Sequence, residues 1–257
     1  DAIAADGSDG TAKESPDIER IECHNTVKVS VKQWLDDELV GRHGAEFADL
    51  NVNMITGDFN AIGRGFLESV SPDEDGKMQG PAPATARANT PAQTSENAFV
   101  YLRVEFIGDL TGNLDRGEAN LTHNVMALVA PARHIDDQIN MDVPTSELPE
   151  RAGILLSELL TISAIDRGSK SENSFEIVAR DNARLRSRVL SASGADEIKY
   201  DHQKQQFIMK AEGNGTVRVN HLDVRSNKVN TLSGKHFEFY RPNRLVAEGF
   251  GGLQLEE

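Results

Sequence analysis

The chain has 257 residues, 38% of them apolar and 26% charged, with 41 acidic against 27 basic side chains and a formal charge of −14. That balance argues against nucleic acid and against docking on anionic lipid, because both need clustered Lys and Arg. The single cysteine, Cys23, excludes an internal disulfide and any multi-cysteine metal site, and no run reaches the roughly 18 apolar residues of a membrane-spanning helix.

Residues 1–24 are mostly small, polar and acidic and are expected to form a disordered leader. The chain starts at Asp1 without a basic and apolar targeting segment and stops just after strand-like sequence at Leu253-Gln-Leu-Glu-Glu257, so a domain taken from a longer chain is expected. From Asn25 the texture changes: Val27-Lys-Val-Ser-Val-Lys-Gln-Trp34 alternates apolar and polar residues, the period of a half-buried strand. Residues 72–97, rich in Pro, Ala, Thr, Gly and Gln, are too poor in large apolar side chains for a core and predict a mobile insertion. Strand texture resumes at Phe99-Val-Tyr-Leu-Arg-Val-Glu-Phe106. Leu148 to Ile165 spaces its leucines as a helix does, yet repetition elsewhere in the chain predicts a strand at Leu159–Ser163.

That repetition is the informative feature. Gly44-Ala-Glu-Phe-Ala-Asp-Leu50 and Phe59-Asn-Ala-Ile-Gly-Arg-Gly65 match Gly194-Ala-Asp-Glu-Ile-Lys-Tyr200 and Met209-Lys-Ala-Glu-Gly-Asn-Gly215 without a gap. A third copy, His236-Phe-Glu-Phe-Tyr240 with Leu245-Val-Ala-Glu-Gly249, has a shorter turn, and a degenerate copy joins Ser157–Ile162 to Phe175–Asn182. The anchoring alanines, Ala179, Ala211 and Ala247, lie 32 and 36 residues apart, so each unit is a β-hairpin in a repeated array. Within a hairpin Ile198, Tyr200, Phe207 and Met209 fall on one face and Glu197, Lys199 and Lys210 on the other. The equivalent inward positions are Leu160, Ile162, Phe175, Ile177, Phe237, Phe239 and Leu245. Glycines after the alanines suit a corner where a strand passes between two sheets. The expected fold is all-β: two facing antiparallel sheets, a β-jellyroll built from repeated hairpins.

Ala195-Asp-Glu-Ile-Lys-Tyr-Asp201, Phe207-Ile-Met-Lys-Ala-Glu-Gly-Asn-Gly215 and Leu245-Val-Ala-Glu-Gly249 resemble the repeated OstA-like domain of periplasmic lipopolysaccharide-transport proteins. The resemblance is clear over about residues 176–253, matches one unit at 44–67 and is weak over 99–143. It implies a periplasmic jellyroll in the biogenesis of the outer membrane, with an apolar groove that holds the acyl chains of lipopolysaccharide or another lipid. The candidate groove residues are Ile198, Tyr200, Phe207, Met209, Phe237, Phe239, Leu245, Leu160, Ile162 and Ile177. It also implies edge-to-edge strand pairing with itself or related domains. On this reading residues 25–143 form a divergent half and 144–257 a second half, as two units or one continuous jellyroll. The alternative is a structural β-repeat scaffold of the cell envelope with a closed core that self-associates through its edges.

Chemistry elsewhere is thin. His134-Ile-Asp-Asp137 reads as a solvated polar cluster, and Asp73-Glu-Asp-Gly76 lacks the spaced ligands of a Ca²⁺ loop. Asn120-Leu-Thr122 and Asn214-Gly-Thr216 read as turns, and Gly63-Arg-Gly65 leads into no phosphate-binding helix. No nucleophile elbow or zinc-protease helix is present, and no carboxylate pair is set apart for glycoside chemistry. The expectation is a protein without a catalytic centre, metal or cofactor.

Overall fold

A computed structural model describes residues 18–35, 37–73, 99–149, 151–164, 175–204, 206–223, 228–240 and 244–255. They form sixteen strands in antiparallel pairing, with no α-helix among the described residues. In chain order these are β1 (Arg20–Cys23), β2 (Val27–Leu35), β3 (Glu38–Phe47), β4 (Asp49–Asn53), β5 (Asp58–Ile62), β6 (Gly65–Pro72), β7 (Phe99–Phe106) and β8 (Leu110–Asn113). There follow β9 (Glu118–Ala132), β10 (Gly153–Ala164), β11 (Phe175–Ser187), β12 (Leu190–Asp201), β13 (Gln206–Lys210), β14 (Val217–Asp223), β15 (Lys228–Tyr240) and β16 (Arg244–Leu255).

The hydrogen-bonded sheet folds over on itself into two layers. The first runs β1, β4, β5, β8, then the first half of β9, the second half of β10, the first half of β11, the second half of β12, β13, the second half of β15 and the first half of β16. The second runs β2, β3, β6, β7, the remaining halves of β9 to β12, β14, and the remaining halves of β15 and β16. The inner faces of both layers share one buried cluster, which includes Ile198, Met209 and Phe237 from the first layer and Ala192 and Val219 from the second. Because β9 and β10 pair on both sides of their bend, the sheet passes residue 143 without a break.

Every long strand must bend to serve both layers. Ladder register shifts between Ser157 and Leu159 in β10, between Arg180 and Ala183 in β11, and between Ser233 and Gly234 in β15. The backbone turns left-handed at His123 and Asn124, at Asp181 and Asn182, and at Gly194. Such bulges increase local twist and redirect a strand. At Gly194 (φ 74°) a Cβ would also stand 2.6 Å from the Thr216 carbonyl oxygen, so close approach adds to the backbone requirement. The expected glycine corner is present at Gly63, between β5 and β6, whereas in β11 Asp181 and Asn182 occupy the corresponding bend.

A second cluster lies on the outer face of the second layer. Residues 133–149 fold back over it and seat Met141 and Leu148 with Tyr101, Leu128, Ala130 and Ile154. Arg42 pins this strap: its Nε donates to the Ile135 carbonyl at 2.6 Å and Nη2 to the Asp137 carbonyl at 3.0 Å, while Glu68 pairs with it at 3.0 Å. The Asp137 carboxylate accepts the Arg133 and His134 N–H groups, which hold its pKa below the usual carboxylate range; His134-Ile-Asp-Asp137 is a turn.

Several expectations change in detail. The leader expected over 1–24 gives way to structure by Arg20, because Ile21 and Cys23 pair with Val52 and Leu50; residues 1–17 lie outside the described set. Most of the insertion at 72–97, and the acidic turn beyond Asp73, also lie outside it. The leucine-rich stretch is a strand over Gly153–Ala164, longer than Leu159–Ser163 and against its helical spacing. On returning strands the alanine alignment slips by two residues: Ala179 and Ala247 are equivalent to Met209, and Ile177 to Phe207. A slip of two preserves the face, so the inward assignment is unaffected.

Arg42→Ala should release the strap, costing about 1–3 kcal/mol for the lost charge-assisted hydrogen bonds. Amide exchange over residues 133–149 should then accelerate while exchange in β11 and β12 stays unchanged. Asn182→Val should cost about 1–2 kcal/mol in urea unfolding because its backbone is left-handed, with Asn182→Gly close to neutral.

Candidate functional site: the inner rows

Residues opposite one another in an antiparallel ladder share a face. Following those partners across the first layer yields two adjacent inner rows. One runs Cys23, Leu50, Ala61, Leu110, Leu121, Leu160, Ala179, Ile198, Met209, Phe237 and Ala247. The other runs Ile21, Val52, Phe59, Gly112, Ala119, Ile162, Ile177, Tyr200, Phe207, Phe239 and Leu245. All ten candidate groove residues therefore fall on two neighbouring rows, although they come from six different strands. Leu245 is placed by its backbone register alone, since its side chain lies outside the described set.

The second layer supplies a facing row: Val29, Ala45, Leu67, Val104, Ala127, Leu155, Leu185, Ala192, Val219, Leu232 and Leu253. Aromatic contacts tighten the C-terminal end of the interior. Tyr200 and Phe207 stack with ring centroids 4.7 Å apart, Phe175 stacks on His202 at 4.5 Å, and His221 reaches across the layers to Phe239 at 6.4 Å.

Burial changes along the rows. Leu160, Ile177, Ile198, Tyr200, Phe207, Met209, Phe237 and Phe239 are only 0–4% exposed, so from β10 to β15 side chains fill the space between the layers, while Ala247 in the edge strand β16 is exposed. Ile162 is half-buried against the same cluster. Toward the N-terminal end the interior loosens: Val27, Leu50, Phe59 and Leu67 are partly buried, and Ile21, Val29 and Val31 are 38%, 39% and 52% exposed. No described strand pairs with the free side of β1 or β2, so this end is both uncapped and unpaired.

The sequence reading missed the N-terminal halves of these rows because β4, β5 and β8 are four or five residues long, too short for alternation to stand out. Alternation in β7 marks Val104, which proves to be fully buried.

His43, on the inner side of β3, bonds Ser69 Oγ at 2.9 Å, and burial lowers its pKa. Outside, Glu68 receives the Tyr101 hydroxyl at 2.8 Å and pairs with Arg103 at 2.9 Å, whose guanidinium lies 4.2 Å above the Phe66 ring. Burial, then the Glu68 bond, pushes the Tyr101 hydroxyl up to about 12. Among the described residues, no three His, Cys, Asp or Glu side chains are grouped to hold a metal ion. The chemistry this arrangement offers is apolar surface, continuous along the long axis of the fold. No family model matches the sequence, and no curated protein or solved structure matches it either.

Ile198→Ala should lower unfolding stability by about 2–5 kcal/mol, since the packed end of the interior has little room to collapse onto the cavity. Val31→Ala, at the open end, should cost under about 1 kcal/mol in the same urea titration.

Proposed function

We propose that the chain is an envelope β-jellyroll that binds lipid acyl chains along its inner rows and joins neighbouring domains end to end, the role its resemblance to OstA-like domains implies. The observation that supports this most directly is the run of apolar inner rows, unbroken from β1 and β2 to β16 and open at their N-terminal end. An acyl chain entering beside Val29 and Val31 meets Leu50, Phe59 and Leu67 first. Deeper occupancy requires the layers to part around Ile198, Tyr200 and Phe207. A chain burying ten methylenes would gain roughly 8 kcal/mol before the costs of association and of separating the layers. The acidic chain offers little to a phosphorylated head group, so chain length governs affinity for lipopolysaccharide or another lipid.

End-to-end joining follows from the same rows. Alternation of strand direction through each layer leaves β1 and β2 running the same way as β16. Copies related by translation would therefore meet in parallel, with the positions of Leu253 and Leu245 continuing the rows of Val29 and Ile21.

A photo-crosslinking residue at Val31 or Phe59 should give adducts with lipopolysaccharide or a long-chain phospholipid, and one at Phe207 should give fewer. The absence of adducts at all three positions removes the lipid reading. Close packing around Ile198 and Phe237 favours a second reading, a closed-core scaffold. In that case lipid adducts are absent while concentration-dependent oligomers persist, and Val29→Glu with Val31→Glu disperses them. A strict monomer at high concentration counts against end-to-end joining in either reading.

A further inference from the structure

Apolar side chains scattered singly over a surface need no explanation, but here they are concentrated. Among the described residues, the large apolar side chains left exposed all lie between residues 18 and 114, apart from Val229. Several gather at one place. Met54 and Ile55 occupy the turn from β4 to β5, Leu114 opens the turn from β8 to β9, and Ile18 precedes β1; all are 47–70% exposed. Turns favour Gly, Pro, Asn, Asp and Ser, so local preference does not place Met, Ile and Leu there.

Hydrogen bonds hold these turns in place. The Met54 N–H donates to the Glu19 carbonyl and the Leu114 N–H to the Gly57 carbonyl, both at 2.8 Å, so the three segments stand side by side. Asn53 Oδ1 accepts the Ile55 and Thr56 N–H groups. Buried Asn113 donates to the Thr56 carbonyl and to Asp58, and accepts the Arg116 N–H. The turns are thus braced with apolar side chains outward, an arrangement that breaks a local rule and marks a functional position.

The second layer has a matching feature. β1 runs from these turns toward the crossing between layers, and β2 returns from that crossing, where the Thr26 N–H meets the Ala48 carbonyl. The end of β2 therefore lies on the same open side of the sandwich. It carries Trp34 and Leu35, 60% and 64% exposed. The apolar turns and the Trp34–Leu35 end are the two lips of the interior beside its N-terminal mouth.

We propose that these lips dock the protein on a lipid bilayer with uncharged or zwitterionic head groups. The apolar tips protrude from separate turns, with Thr56, Gly57, Asp115 and Arg116 among them. A protein partner would need a pocket for each tip, whereas fluid acyl chains close around any tip without one. Local charge selects the head group. Arg116 pairs with Asp58 at 4.0 Å and Arg20 with Glu22 at 2.7 Å, while exposed Asp37, Glu38 and Asp115 oppose an anionic surface. Trp34 suits the head-group boundary, where the ring is buried and its N–H stays wet. Docked this way, the open rows face the bilayer, and an acyl chain reaches Phe59 without crossing water. That transfer rests on the acyl-chain reading above; the docking itself does not.

Trp34 is the only tryptophan, so the whole chain reports its own docking. With phosphatidylcholine vesicles its emission should shift to the blue, acyl-brominated lipid should quench it, and the chain should sediment with the vesicles. Ile55→Ser with Leu114→Ser alters only exposed turns, so the urea midpoint should be unchanged while vesicle affinity falls at least about tenfold. Val229→Ser should bind as the unaltered chain does. No blue shift and no sedimentation at millimolar lipid overturns the proposal, as does unchanged affinity in the folded double variant. Dimers that the double substitution disperses, without vesicle binding, also overturn it and assign the lips to a second copy. Photo-crosslinking at Phe59 with monomeric lysophospholipid separates the two readings. Adducts without vesicle binding overturn the docking alone, and vesicle binding without adducts supports the docking and overturns the acyl-chain reading.

Discussion

Two layers that share their strands must keep side-chain rows in register while each long strand crosses from one layer to the other, and the rest of this fold depends on that constraint. In β9 to β12, β15 and β16 the crossing is made inside single strands, whereas β13 passes to β14 through the loop between Lys210 and Val217. His123, Asn124, Asp181, Asn182 and Gly194 take left-handed backbone at these crossings. Because the bulges recur in neighbouring strands, rows on both sides stay aligned, and Leu160, Ala179, Ile198 and Met209 remain opposite one another.

Aligned rows account for the main energetic feature of the molecule. At the C-terminal end the rows carry large side chains, Tyr200, Phe207, Phe237 and Phe239, which reach across and close the interior. At the N-terminal end the corresponding positions are Ile21, Val52 and Phe59, and the last strands have no neighbour to cover them. The same architecture is thus a packed core from β10 to β15 and a half-open apolar mouth at β1 and β2. The lipid and scaffold readings differ in which end governs behaviour, and both use the unpaired edges.

The outer faces are specialised separately. The second layer buries part of its exterior beneath the strap at 133–149, held by Arg42 through main-chain carbonyls. The first layer leaves its exterior open and polar, with ion pairs on both halves, Arg20 with Glu22 at 2.7 Å on one and Arg180 with Glu197 at 3.0 Å on the other. Since strand side chains alternate, the Asn51–Asn60–Asn120 row and the apolar rows occupy opposite faces of the same strands.

Much of this was legible in the residues. Period-two alternation and the repeated hairpins established an all-β chain and the inward face of Ile198, Tyr200, Phe207, Met209, Phe237 and Phe239, because strand geometry makes the side of a residue a matter of parity. The repeats even overruled the helical spacing of the leucines in β10, which gain more from neighbours in the sheet than from helix propensity. Whether the inward face is a groove or a filled core depended on what stands across from it, and that partner comes from the other layer, distant in sequence. The strap over Tyr101, the openness beside Val29 and the joining of asparagines from separate hairpins into one row were likewise decided only by tertiary structure. Local pattern determines which side of a strand a residue takes; only the pairing of strands determines what it meets there.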